Sequence, residues 1–164
     1  MQITSFKDMY IAELQELRSL EEQLAEALLR LAQMASHPSL KQALTRHRDL
    51  TLAQEARLDS MLRRHNADPR AHTDQAMQAL IGETEKMLSM VKGNDLRDSA
   101  LIASAQKVEH YEIAAYGTAA ALAGQLDCRD DQQLLHHCLQ EEKDMDVLLT
   151  RLAKSEVNQD ALAA

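Results

Sequence analysis

Two glutamates stand one helical turn apart in the stretch VEHYE, at Glu109 and Glu112. The apolar residues around them recur every three or four positions from Ile102 to Tyr116, and this spacing predicts the buried face of a helix. Burying one ionised carboxylate without a partner costs several kcal/mol, and a second carboxylate nearby adds repulsion. The pair therefore needs a neutralising species, which the sequence leaves open as protons, a water-filled slot or a cation.

Three other predicted helices carry polar residues on their apolar stripes. The first has Glu13, the second has His47 with Gln54 two turns later, and the last has Glu142 with Asp146 one turn later. Taken alone, Glu13 or Asp146 fits a boundary residue that reaches solvent, and His47 with Gln54 fits a satisfied polar pair. Their coincidence on four helices favours one shared site. The predicted metal ligands are Glu13, His47, Glu109, Glu112, Glu142 and Asp146.

A set of carboxylates with one imidazole has a distinct metal preference. Hard oxygen ligands suit iron and manganese, or magnesium and calcium, better than copper or zinc. Facing glutamates on a four-helix bundle hold di-iron and di-manganese centres, because a bridging carboxylate lowers the charge of both metals. The predicted cofactor is Fe, with a di-iron centre as one form, or Mn.

The elements that must position these residues are helices. The chain of 164 residues has only 2 Pro, 4 Gly and 2% aromatic residues, which favours an all-α fold. Periodicity and turn signals predict helices over about 5–35, 40–64, 73–92, 96–126 and 130–154, with a short flexible tail from about 156. Tight connections join the first pair and the last pair. This predicts one domain over 1–164, a ferritin-like four-helix bundle of two antiparallel hairpins with a long crossover that contains an extra helix.

Composition excludes several classes of function. The net charge of -8 and the lack of a basic stripe argue against a nucleic acid partner. The charged N-terminal stretch is not a secretory signal, and the longest nearly uncharged run is too short for a membrane span. Cys128 and Cys138 have no C-x-x-C spacing and are expected as free thiols. We expect a soluble cytoplasmic protein.

Two long segments also carry a family resemblance. RDSALIASAQKVEHYEIAAYGTAAALAGQL followed by LLHHCLQEEKDMDVLLTRLA, with DMYIAELQEL near the start, resembles the YciF/YciE group of bacterial ferritin-like stress proteins. The resemblance implies a homodimer in a stress response with a rubrerythrin-like metal centre. In that comparison Glu13, Glu109, Glu112 and Glu142 correspond to the glutamates of the group's motifs.

The chain departs from this pattern on the second and last helices. Similar proteins carry HLEET where this chain has HRDLT, so Leu50 replaces a glutamate, and Met145 stands where Glu-x-x-His would need a histidine. Three functions remain open. The chain is a metal protein that oxidises Fe(II) with oxygen or peroxide, a metal-free helical stress protein that acts through protein-protein interaction, or a subunit of an iron-storage shell.

Overall fold

The structure, a computed structural model, describes residues 2–163, and these are helical with no strand. The elements are α1 (Phe6–Met34), α2 (Pro38–Arg64), α3 (Gln75–Met90), α4 (Asn94–Gln125), α5 (Arg129–Leu152), a π-helical turn (Ala153–Val157) and α6 (Asn158–Ala163). The all-α prediction is confirmed, and the ends of the five predicted helices lie within two residues of the observed ones.

The helices pair as two hairpins. α1 packs along α2 and α4 along α5, while α1 against α4 and α2 against α5 close the bundle. The crossover from α2 to α4 contains α3, which lies against α4 and α1. The predicted arrangement of two antiparallel hairpins and a crossover helix is therefore confirmed.

Side-chain caps explain where three helices begin. Ser5 and Asp8 form a reciprocal capping box at the start of α1, with the Asp8 amide donating to Ser5 Oγ over 3.1 Å. The start of α2 has no capping side chain of its own, and Asp98 of α4 accepts hydrogen bonds from the backbone amides of Ser36 and His37 at 2.9 and 2.7 Å. α4 thus satisfies two backbone amides immediately before α2 and ties the two hairpins together.

Asp74 fixes the start of α3. Its Oδ1 accepts from the Met77 amide at 2.7 Å and its Oδ2 from the Tyr111 hydroxyl at 2.7 Å. Its amide donates to Ser19 Oγ at 3.0 Å, and its carbonyl oxygen accepts from Gln23 Nε2 at 3.0 Å. The crossover helix is therefore held to both α1 and α4 at its N-terminal end.

The core is aliphatic, with two buried tyrosines, Tyr10 and Tyr116. Both cysteines are free thiols, as expected. None of the helices within residues 2–163 is long and apolar enough to cross a membrane.

The C-terminal segment departs from the predicted flexible tail. The chain stays helical through the π-helical turn and α6, which pack on α4. Val157 is buried, and this apolar anchor, one residue past the expected start of the tail, explains why the helical path continues.

Candidate metal centre

Four polar residues meet in the middle of the bundle. His47 of α2, Glu109 and Glu112 of α4 and Glu142 of α5 are each at most 1% exposed. His47 Nδ1 lies 3.0 Å from Glu109 Oε1, and His47 Nε2 lies 3.3 Å from Glu142 Oε2 and 3.9 Å from Glu112 Oε2. One ligand atom from each residue lies within 4.8 Å of the others, which is close enough for a shared cation.

Helical periodicity brings these side chains inward. His47 follows buried Leu44, and Glu142 stands between buried Cys138 and Met145 at steps of three and four residues. Glu109 and Glu112 lie one turn apart on the same buried face of α4. Because the helices are antiparallel within each hairpin, their midpoints come to one level, as the sequence predicts.

The first helix contributes Glu21, which is not among the ligands predicted from the sequence. Glu21 is fully buried, and its Oε1 accepts a hydrogen bond from the Tyr116 hydroxyl. It stands between Leu17 and Leu24 on a stripe with steps of four and three, and this spacing was the signal that could have found it. The second oxygen of Glu21 has no hydrogen-bond partner.

Two predicted ligands lie away from this cluster. Glu13 is only partly buried, and the charges that act on it come from Glu16 and Asp74. Eight residues separate it from Glu21, or about 12 Å along a helix axis. Asp146 is partly exposed, and its Oδ1 accepts from Gln106 Nε2 at 3.0 Å and lies 3.6 Å from His110 Nε2. The structure brings neither residue to the four-residue cluster.

Neighbouring side chains hold Glu142 of the cluster and the adjacent Glu141 in place. Gln54 Nε2 donates to Glu142 Oε1, which leaves Glu142 Oε2 toward His47. Gln54 also donates to Glu141 Oε2 at 3.2 Å, and Arg57 binds Glu141 at 2.5 and 3.1 Å. These outer side chains fix Oε1 of Glu142 and leave its Oε2 available for a ligand.

The donor set fits a hard cation. Thirteen buried side-chain nitrogen and oxygen atoms within residues 2–163 make no well-aligned hydrogen bond, and eight of them belong to Glu21, His47, Glu109, Glu112 and Glu142. Among these eight, the two nitrogens of His47 have close neighbours, Glu109 at 3.0 Å and Glu142 at 3.3 Å, and the other carboxylate oxygens have no donor. Buried polar groups are normally paired, so this concentration indicates a missing partner that the protein does not supply. Leu50, partly buried on α2, offers no oxygen, so α2 contributes the His47 imidazole alone to the four-residue cluster.

Burial changes the acid-base behaviour of the cluster. Burial raises the pKa of Glu109 to about 7, although His47 opposes the shift. Burial, then the charge of Glu142, raises the pKa values of Glu21 and Glu112 well above their usual range. Burial lowers the pKa of His47, but Glu109 and Glu142 outweigh it and the net pKa is raised. Without a cation, the cluster therefore holds protons near neutral pH.

Comparison with known proteins places the chain in a family. The family model described as a domain of unknown function, DUF892, matches residues 5–162. The chain belongs to the DUF892 family. Protein YciF of Escherichia coli (strain K12) is 41% identical over 162 residues, covering 98% of each sequence. The resemblance seen in the sequence is therefore confirmed.

Solved structures agree with the fold of this DUF892 member. The crystal structure of the Escherichia coli stress protein YciF matches with a TM-score of 0.90, covering 95% of this chain and 99% of that one. YcfI from Rhodopseudomonas palustris is 32% identical with a TM-score of 0.88, over 91% of this chain and 95% of that one. A Xanthomonas campestris protein, 18% identical with a TM-score of 0.78, over 97% and 98% of the two chains, shares the fold alone.

Proposed function

We propose that this protein binds iron or manganese in the bundle core through His47, Glu109, Glu112 and Glu142, with Glu21 at the edge of the site. The observation that carries the proposal is the concentration of unpartnered donor atoms on these five residues. A cation bound there would satisfy several of these atoms together and would remove the repulsion between the glutamates. Carboxylate oxygens with one imidazole favour iron or manganese over copper or zinc.

The chain's own residues would prepare the site before metal arrives. The Gln54 amide directs Glu142, and the Tyr116 hydroxyl directs Glu21, so each carboxylate presents one free oxygen. The cluster residues are each at most 1% exposed, so the site has little contact with bulk water. A redox-active metal held in such a buried carboxylate site would supply one-electron chemistry toward oxygen or peroxide.

We propose a role in the stress response, with oxidation of Fe(II) by oxygen or peroxide as the reaction. The Escherichia coli relative is described as a stress protein, and its 41% identity over nearly the whole length supports this role. A homodimer is part of the proposal, and a sizing column would separate it from a large storage shell.

Elemental analysis of untagged protein, prepared without chelator and again after anaerobic loading with Fe(II), tests the proposal. We expect near-stoichiometric iron or manganese, which the double variant Glu109→Gln, Glu112→Gln loses. Glu83→Gln changes an exposed glutamate of α3 and serves as the matched control, with metal content unchanged. Equal metal content in the double variant and this control would refute the assignment.

The second candidate is a metal-free helical protein that acts through protein-protein interaction. The raised pKa of Glu109, about 7, favours it, because protons then neutralise the site without a cation. Leu50 in place of a glutamate also favours it. This candidate gains support if neither preparation contains metal and the melting temperature does not respond to Fe(II) or chelator.

A further inference from the structure

A cavity of about 370 Å³ opens between α1, α3 and α4. Its walls are mostly aliphatic, with Leu24 and Leu28 from α1, Ile81 and Leu88 from α3, and Val108 from α4. The volume falls within the range of about 300–1,000 Å³ that is usual for small-molecule sites. The bundle therefore contains a pocket large enough for an organic molecule and suited to an apolar one.

The floor of the cavity is polar. His47 and Glu109 line it, each at most 1% exposed; they contact each other at 3.0 Å between Nδ1 and Oε1, and Glu109 Oε2 has no hydrogen-bond partner within residues 2–163. An occupant could thus place its apolar body between the helices and one hydrogen-bonding end against these atoms. Pockets of this composition orient a ligand through a few polar groups at one end.

The charged residues at the cavity do not provide an anchor for an ionic ligand. Arg30 and Glu85 pair with each other over 3.3 Å between α1 and α3, and both are more than half exposed. Toward the floor, glutamates outnumber the single imidazole of His47. A carboxylate head group would meet other carboxylates there, and an ammonium head group would have to leave water beside aliphatic walls.

We infer that this cavity binds an uncharged, mainly aliphatic molecule with one hydroxyl or carbonyl end, the chemistry of a medium-chain alcohol or aldehyde. The apolar body lies against α1, α3 and α4, and the polar end reaches His47 and Glu109. This binding goes beyond the proposed metal function, because the aliphatic walls do not depend on a cation; since His47 and Glu109 are also the proposed metal ligands, it is assigned to the metal-free protein.

Calorimetric titration of the full-length, chelator-treated protein with 1-decanol and with decanoate tests the inference. We expect saturable binding of one 1-decanol per chain, with decanoate at least about tenfold weaker. Ala27→Leu combined with Ala105→Leu places side chains in the cavity and should weaken 1-decanol binding by at least about tenfold. Ala114→Leu, an exposed site on the same helix as Ala105, should leave the affinity unchanged.

Methyl NMR of the unsubstituted protein gives a second result that does not depend on the folding of a variant. The methyl signals of Met34 and Ile81, which line the cavity, should shift on adding 1-decanol, while that of Met61, buried on α2, should not. Absence of saturable binding, equal binding by the filled variant and the control, or equal shifts at all three methyls would overturn the inference. Because no metal is present, failure of the metal proposal would not affect these outcomes.

Discussion

Buried carboxylates occur at two levels of the bundle with opposite surroundings. At one end, Asp131 of α5 accepts from the Tyr10 hydroxyl at 2.9 Å, lies 2.7 Å from His65 Nε2 and pairs with Arg64. In the middle, among the described residues, Glu112 of α4 has no hydrogen-bond donor on either carboxylate oxygen, and the only side-chain donor near Glu109 is His47 Nδ1 at 3.0 Å. Burial raises the pKa of Asp131, but its partners outweigh burial and lower it, whereas burial raises the pKa values of both glutamates.

The difference separates a structural carboxylate from a candidate functional one. His65, Cys128 and Asp131 are also close enough together to hold a cation. However, Arg64 and Tyr10 already bind the Asp131 oxygens, so the fold itself neutralises that group. In the middle of the bundle the fold brings glutamates together and supplies few donors. The buried glutamates there lack enough protein donors to balance their negative charge, and a bound cation could supply that balance.

Removing the charge of Asp131 should have the largest effect on stability. Asp131→Asn leaves Arg64 and His65 without their carboxylate partner, and the expected loss is about 3 kcal/mol in the free energy of unfolding. Asp130→Asn, an exposed neighbour in the same first turn of α5, is the matched control and should change stability by less than about 0.5 kcal/mol. Urea unfolding measures both. Similar values for the two variants would mean that the Asp131 cluster contributes little.

The second-largest effect should be the pH dependence of the free energy of unfolding of the metal-free protein. The pKa of Glu109 rises from 4.5 in the unfolded chain to about 7 in the fold, so the folded state keeps a proton that the unfolded state releases. Glu109 therefore costs no stability at or below about pH 4.5 and lowers the free energy of unfolding by roughly 2–3 kcal/mol as pH rises toward 7. His47, whose pKa is also raised, loses its contribution in the same direction.

Metal binding should reverse this fall of stability with rising pH, because a cation binds deprotonated carboxylates. Melting temperatures measured from pH 4.5 to 8 with chelator and with Mn(II) compare the two states. A metal-free protein that grows more stable over this range would contradict the assigned protonation of the glutamates.

Neutralising a glutamate in the middle of the bundle should have the opposite sign from neutralising Asp131. At pH 8 and without metal, Glu112→Gln removes a buried group whose charged form has no donor, so we expect unchanged stability or a gain of about 1 kcal/mol. The urea series used for Asp131→Asn provides the comparison. A loss as large as that of Asp131→Asn would show that Glu112 has a stabilising partner.

The smallest effects should distinguish Glu13 from Glu21, two of the glutamates of α1. Glu21→Gln alters a residue at the edge of the site and should weaken metal binding by about tenfold. Glu13→Gln should leave the affinity within about twofold, since Glu13 lies near Glu16 and Asp74 instead. Competitive titration with a metal-sensitive dye measures both variants. Greater loss from Glu13→Gln would restore the ligand set predicted from the sequence.

Sequence periodicity was sufficient for the helices and for most of the cluster. Glu109, Glu112, His47 and Glu142 each interrupt an apolar stripe in mid-helix, and antiparallel pairing brings mid-helix residues to one level. Turn residues marked the connections, so the hairpins and the crossover also followed. The helices, their pairing and the mid-helix cluster depend on residue spacing within one helix and on loop length, and both can be read directly from the sequence.

Which glutamate of α1 reaches the cluster, Glu13 or Glu21, could not be predicted from spacing within one helix. Both lie at helical spacing from leucines, and only the axial offset between α1 and α4 decides which one reaches the level of Glu112. That offset is set by long-range contacts, such as the hydrogen bond from Tyr116 to Glu21, which link residues far apart in the chain. The pairing of Asp146 with Gln106, across two helices, was beyond reach for the same reason.

The anchoring of α3 at Asp74 has a kinetic consequence. Four hydrogen bonds hold the first residue before this helix, while Met87 and Met90 near its other end are exposed and Leu88 borders the cavity. Amide hydrogen exchange should therefore be slow at Met77 and Gln78, whose amides donate to Asp74, and progressively faster toward Met90. The residence time of a molecule in the cavity would then depend on how often the last turns of α3 unfold locally.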